Sequence, residues 1–216
     1  YIENNNDLFL LHGDKGKIEP YLKNYVKLKK NCKILHTEKL IQMDDKPAQT
    51  VRSGRKSSMW NAIESVKREK ANVIVSCGNT GSLMAISTLL LRKLPAVKRP
   101  AIAIFWPSLS KTGFNIVLDA GADIKAQPSD IATYANFGSN IYTKVFNLKK
   151  PKVGLLNVGT EAHKGDDQMR KASSLLENEA DLKGYEYCGF VEGSDLSTNK
   201  VDVIVTDGLT GNIALK

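Results

Sequence analysis

Short apolar runs alternate with longer stretches of helical period along this chain, and small or turn-forming residues follow nearly every run. Asp7-Leu-Phe-Leu-Leu-His12, Val73-Ile-Val-Ser76, Ala101–Trp106, Phe114–Leu118, Val153–Leu156, Tyr187–Val191 and Val201–Thr206 read as strands. Most are apolar throughout, the pattern of strands covered by helices on both faces. A Pro107-Ser-Leu-Ser110 loop joins the third and fourth. With no internal repeat and no clear linker, the chain is predicted to form one α/β domain over residues 1–216 on a mostly parallel sheet.

The helices are located by their starts. One is expected through Tyr21–Leu28, after Gly13. Ser57 or Ser58 can cap the next, which has Met59, Ala62, Ile63 and Val66 on one face. Gly78-Asn-Thr-Gly81 opens an apolar helix to about Leu94, before Pro95. Pro128 starts another, to about Leu148, with Ile131, Tyr134, Ile141 and Val145 as candidate core residues. A last helix is expected over Asp166–Leu182.

The charge is uneven. The chain carries 31 Lys and Arg against 23 Asp and Glu, a net +8. Residues 15–56 hold twelve of the basic groups and four of the acids, so the remainder is balanced. Such a patch suits an acidic partner: nucleic acid, an anionic membrane or an acidic protein. A solvated surface is the plain alternative. Only Tyr21 and Tyr25 could stack on bases there, and no reader motif occurs, so nucleic acid is not expected. The composition, 42% hydrophobic and 25% charged, excludes disordered, collagenous and disulfide-scaffold classes. Cys32, Cys77 and Cys188 lack CxxC spacing and suit reduced thiols in a cytosol. No apolar run approaches the ~18–20 residues of a membrane span. The polar Glu3–Asp7 opening argues against a signal peptide, and a start at Tyr1 suggests a fragment.

Chemistry is expected beyond the strands. Gly13-Asp14, Gly78–Gly81, Gly121–Asp123, Gly159–Glu161, Gly193–Asp195 and Gly208–Asn212 each follow a strand, where open parallel sheets bind ligands. Glycine lets backbone N–H groups approach an oxyanion, and helix N-termini add partial positive charge. Turns alone would also require such residues. Neither GxxxxGK[ST] nor a G-x-G-x-x-G turn is present. Asp202 and Asp207 lack the paired Asp-x-Asp of a magnesium hydrolase, and His12, His36 and His163 share no ligand spacing, so no metal or cofactor is expected. Cys77 reads as a small buried residue ending a strand, with a nucleophile as the other reading. Lys164 is the cation at the ligand edge, unless it is a solvated helix-start lysine. His163 is a base or a surface histidine.

Several of these segments resemble motifs of one family. They are Met43-Asp-Asp-Lys-Pro47, Lys56-Ser-Ser-Met59, Ser76-Cys-Gly-Asn-Thr-Gly-Ser82 and Leu118-Asp-Ala-Gly-Ala122. Gly154-Leu-Leu-Asn-Val-Gly-Thr-Glu161, Lys164-Gly165, Val191-Glu-Gly193 and Asp207-Gly-Leu-Thr-Gly-Asn212 continue the series. In this order they resemble the bacterial acyl-carrier-protein:phosphate acyltransferase (PlsX) family over essentially the whole chain. Family members carry an additional opening strand with a Gly-Gly-Asp motif and a C-terminal continuation, so a core fragment is expected. Cys77 and Ser82 stand where the family usually has Ala, and Asp123 where it commonly has Asn.

The resemblance implies a three-layer α/β/α sandwich related to phosphotransacetylases and isopropylmalate dehydrogenases. It implies transfer of a long-chain acyl group from acyl-carrier protein to inorganic phosphate, giving an acyl phosphate that a membrane acyltransferase uses on glycerol 3-phosphate. A homodimer in the cytoplasm with peripheral membrane contact is implied too. Lys164 and Asn212 match the family's catalytic residues. Gly78, Asn79, Thr80, Gly81, Ser58, Asn157, Gly159 and Thr160 are the expected phosphate or substrate contacts. Arg52, Arg55 and Lys56 are the expected dock for the acidic carrier protein. A phosphotransacetylase-like enzyme using acyl-coenzyme A is the alternative.

Overall fold

A computed structural model of the chain describes residues 7–95, 97–161 and 164–216. Packing divides it into two compact units, Tyr1–Arg92 and Lys93–Lys216.

In the first unit, β1 (Phe9–Gly13) and β2 (Cys32–His36) pair in parallel from Phe9 opposite Cys32 to Gly13 opposite His36. The helix expected through Tyr21–Leu28 is instead two short ones, α1 (Lys15–Lys23) and α2 (Val26–Lys30). The Asp14 carboxylate caps α1 early by accepting the Gly16 N–H at 2.9 Å, and Asn24 ends it by turning its N–H back to Tyr21 and Leu22. Then follow α3 (Pro47–Ser53), α4 (Ser58–Lys67) and α5 (Thr80–Leu91). Ser57 is the α4 cap, accepting the Trp60 N–H at 3.2 Å. Met59, Trp60, Ile63 and Ile86 form the unit's core, with Ile41, Ile74, Leu83 and Leu90 packed on it. Val73–Ser76 is not a strand. Ile74 packs inward, but Val73 and Val75 are 74% and 87% exposed, and among the described residues no strand offers the segment a ladder.

The second unit is built on a five-stranded sheet in the order β3-β4-β7-β5-β6. The strands are β3 (Ile104–Pro107), β4 (Phe114–Leu118), β5 (Lys152–Leu156), β6 (Glu186–Val191) and β7 (Val203–Val205). β3 runs antiparallel to β4, as the short intervening loop requires, and the other pairs are parallel. Successive residues of one strand enter different cores, which explains the unbroken apolar runs. Ile116, Leu118, Val153, Leu155, Val203 and Val205 join the cluster under α6 (Pro128–Phe146) and α7 (Asp167–Lys183). Val117, Leu156 and Ile204 join the opposite cluster, which Ala214 of α8 (Gly208–Leu215) also contacts. Within this unit the layers are therefore helix, sheet, helix, as an α/β fold with a mostly parallel sheet demands.

Gly138 brings α6 close to the sheet, since a Cβ there would lie 2.9 Å from Leu118 Cδ1. Ile131 and Tyr134 are buried as expected, but Val145 is 55% exposed because the helical period carries it away from the sheet. At the amino ends of the strands, Asp202 acts as a clasp. Its carboxylate accepts the Tyr142 hydroxyl at 2.9 Å and the Lys152 N–H at 2.8 Å. Its own peptide bonds to Lys152 and Ile116.

Candidate active site

Three loops leave the carboxyl ends of the neighbouring strands β4, β7 and β5 along one edge of the second unit's sheet. The loop after β5 is shaped around glycines. Gly165 has φ 79°, a conformation that disfavours side chains, and a Cβ there would stand 2.5 Å from Asn157 Oδ1. The Asn157 amide donates to the Gly159 carbonyl at 3.2 Å. Gly159 is buried, and a Cβ on it would lie 3.2 Å from Lys164 Cγ. Asn157, Gly159, Lys164 and Gly165 thus form one cluster, from which Lys164 emerges exposed just before the Asp166 cap of α7. Thr160 is exposed on the same loop. His163 lies outside the described residues.

Asn212 is brought to the same edge by α8. Asp207 caps that helix, accepting the N–H groups of Leu209 at 2.9 Å and Thr210 at 3.0 Å and the Thr210 hydroxyl at 2.7 Å. Asn212 rests on the loop after β4, because a Cβ on Gly121 would lie 2.8 Å from Asn212 Nδ2. That loop is organised by Asp119, which is wholly buried. Its neighbour Asp123, the departure from the commoner Asn, accepts the Arg99 guanidinium at 2.8 Å. Burial, with the nearby carboxylates of Asp123, Asp119 and Asp130, pushes the Tyr134 phenol far up, so it stays protonated.

The other expected phosphate contacts lie in the first unit. Asn79 caps α5, its Oδ1 accepting the Ser82 N–H at 2.9 Å. Its amide donates to the carbonyls of Met43 and Asp45, both at 2.9 Å. This side chain is therefore committed to holding the 43–45 segment. The Gly78 N–H donates to Ser76 Oγ at 3.2 Å, and Thr80 is exposed in the first turn. Gly81 sits against Pro47, whose Cγ would lie 2.7 Å from a Cβ there. The Ser82 hydroxyl accepts that of Thr50 at 3.0 Å, which gives this departure from alanine a packing role. Ser58 is half-buried, its N–H donating to the Lys39 carbonyl. Arg52, Arg55 and Lys56 are exposed, with the Arg55 guanidinium 6.0 Å from the Trp60 ring centroid. Cys77 is exposed and ends no strand, against the expectation of a buried residue. Among the described residues, no three His, Cys, Asp or Glu side chains are grouped to hold a metal ion.

With this geometry established, the family model described as fatty acid synthesis protein matches residues 2–216. The chain belongs to that family. Relatives named phosphate acyltransferase, from Cereibacter sphaeroides and Paracoccus denitrificans, are each 50% identical to it over 208 residues. Those matches take in 96% of this chain and 56% of each relative, so the chain spans about half the length of the curated relatives it matches. Among solved structures, a phosphotransacetylase from Streptococcus pyogenes is similar with a TM-score of 0.64 and 14% identity, covering 97% of this chain and 80% of that one. The EutD phosphotransacetylase from Staphylococcus aureus is similar with a TM-score of 0.58, at the same identity and coverage. This family member shares the phosphotransacetylase-like fold.

The sequence motifs led to the Lys164 and Asn212 loops. They gave no role to Asp119 or Gly121, although both lie in the Leu118–Ala122 motif directly after an apolar strand.

Proposed function

We propose that the full-length protein transfers a long-chain fatty acyl group from acyl-carrier protein to inorganic phosphate, releasing an acyl phosphate for phospholipid synthesis. One observation carries the reading: Lys164 on the loop after β5 and Asn212 in the helix after β7 follow the carboxyl ends of adjacent parallel strands, each packed against a loop glycine. The name of the relatives supports the reaction class.

Lys164 orients phosphate and offsets its charge, and Asn157, Gly159 and Thr160 shape the loop that presents it. A phosphate oxygen attacks the thioester carbonyl carbon. The Asn212 amide donates to the oxyanion that forms. The C–S bond then breaks and the carrier's sulfur leaves, taking a proton to become the thiol. No acyl-enzyme is required. The Ser–His contact in the first unit, Ser65 Oγ to His12 Nε2 at 3.1 Å, supplies no nucleophile, because Ser65 is buried and its hydroxyl donates to the Asn61 carbonyl at 3.1 Å. Thr80 and Gly81 offer first-turn backbone amides and a hydroxyl to an anion, and Gly78, Ser58 and the Asn79 backbone are assigned to substrate as well.

The remaining assignments belong to the same reading. Arg52, Arg55 and Lys56 dock the acidic carrier protein. The protein acts as a cytoplasmic homodimer with peripheral membrane contact, handing its product to a glycerol-phosphate acyltransferase. No described helix is long and apolar enough to cross a membrane.

The test is to mix full-length enzyme, acyl-carrier-protein thioester and phosphate, then trap acyl phosphate with hydroxylamine. Hydroxamate is expected with wild type, and Lys164→Ala should lower its rate by about 10–100-fold, the worth of a charge-assisted hydrogen bond. No hydroxamate, or full yield from Lys164→Ala, overturns the reading. Faster transfer from acyl-coenzyme A than from the carrier thioester would favour a phosphotransacetylase-like enzyme.

A further inference from the structure

The Leu118–Ala122 motif takes no part in the chemistry above, yet a buried carboxylate lies at its centre. Asp119 has no solvent exposure. Its Oδ1 accepts the N–H groups of Ile102 at 2.9 Å, Gly121 at 3.1 Å and Ala122 at 2.9 Å. Its Oδ2 accepts those of Ala122 at 3.1 Å and Asp123 at 2.6 Å. Peptide dipoles alone meet this charge, since none of the ion pairs among the described residues includes it. A buried carboxylate is costly unless its lone pairs are met, and here they are met by the loop it shapes.

Helix α8 is seated on this carboxylate. A Cβ on Gly208 would lie 2.7 Å from Asp119 Oδ2, and one on Gly211 would collide with the Asp119 carbonyl oxygen. The Gly208 N–H donates to the Asp123 carbonyl at 2.9 Å. Asn212 then stands on Gly121, the residue whose N–H Asp119 holds. Asp119 therefore fixes both the floor under Asn212 and the helix that carries it.

We propose that Asp119 is a positioning residue that aims the Asn212 amide at the reacting carbonyl; this rests on the acyl-transfer reading above. A carboxylate accepts on every side. An asparagine at 119 would turn an N–H₂ group toward at least one of these N–H donors, so the loop and Asn212 must shift although the volume is unchanged.

The experiment compares full-length wild type with Asp119→Asn by two readouts. The first is the side-chain amide signal of Asn212 in ¹⁵N–¹H spectra, which needs no turnover. The second is kcat and the KM for phosphate by hydroxylamine trapping. The Asn212 signals should move, and kcat should fall by about 10²–10³, the loss typical of one oxyanion donor, with KM for phosphate within about twofold. An unmoved Asn212 signal, or an unchanged kcat, overturns the positioning role. If wild type itself yields no hydroxamate, the acyl-transfer reading fails and the spectrum still decides the geometry. Should Asp119→Asn not fold, Gly211→Ala keeps the carboxylate and presses α8 away from it. The same signature is expected there, and unmoved Asn212 signals would again overturn the proposal.

Discussion

The Asn157 side chain occupies the space that a Cβ on Gly165 would need, with Oδ1 2.5 Å from that position. Lys164 stands next to this contact, so the lysine's placement depends on residue 165 having no side chain.

Gly165→Ala should therefore damage both fold and reaction. The left-handed backbone at φ 79° costs a non-glycine residue about 1–2 kcal/mol, and the methyl also displaces Asn157. A lower Tm with a fall in kcat is expected. A variant as stable and active as wild type would show that the loop tolerates the methyl.

Asn79 joins two segments of the first unit. Asn79→Ala removes the α5 cap and the donors to the Met43 and Asp45 carbonyls. A lost cap costs about 1 kcal/mol and each hydrogen bond a similar amount, for a total of roughly 2–4 kcal/mol. Urea denaturation of the variant should show a correspondingly earlier midpoint.

His12 gives the first unit a pH dependence. Burial lowers its pKa below the usual 6.5, so the unfolded chain takes up the proton more readily. Stability from this group is complete above pH 6.5 and declines as pH falls below it, until the lowered folded value is reached. In urea midpoints measured at pH 7.5 and 5.5, wild type should lose stability on acidification, and His12→Gln should lose less.

The basic segment offers a cleaner test at two positions than at three. Arg55 lies over Trp60, so reversing its charge also disturbs packing. Arg52→Glu with Lys56→Glu should raise KM for the carrier-protein thioester roughly three- to tenfold, more at low salt, and leave KM for phosphate unchanged. An unchanged KM for the carrier-protein thioester would return the patch to a solvated surface.

What the sequence revealed depended on which faces were covered. β4 coincides with its expected span because Ile116, Val117 and Leu118 are buried on both sides of the sheet. In β2 the exposed Lys33 and His36 break the apolar run, and this strand was not anticipated. Conversely, Val73-Ile-Val-Ser76 has the composition of a strand but, among the described residues, no neighbouring strand to pair with. α3 buries only Thr50 over seven residues, too short to show a helical period. α8 read as a loop because of Gly208 and Gly211, which are poor helix formers but allow the helix to touch Asp119. At the candidate site, Lys164 and Asn212 stood out by motif. Asp119 lay within a motif as well, but its role was not legible, because a carboxylate surrounded by backbone amides leaves no spacing in a sequence.

The Asp202 clasp lies at the amino ends of the strands, the end away from these loops. Strand register in the second unit is thus anchored at the end of the sheet opposite Lys164 and Asn212. Sequence drift among relatives can then remodel the loop rim without loosening the framework. Damage at Asp202 should surface as lost protein, and damage at the rim as lost turnover from protein that is still present.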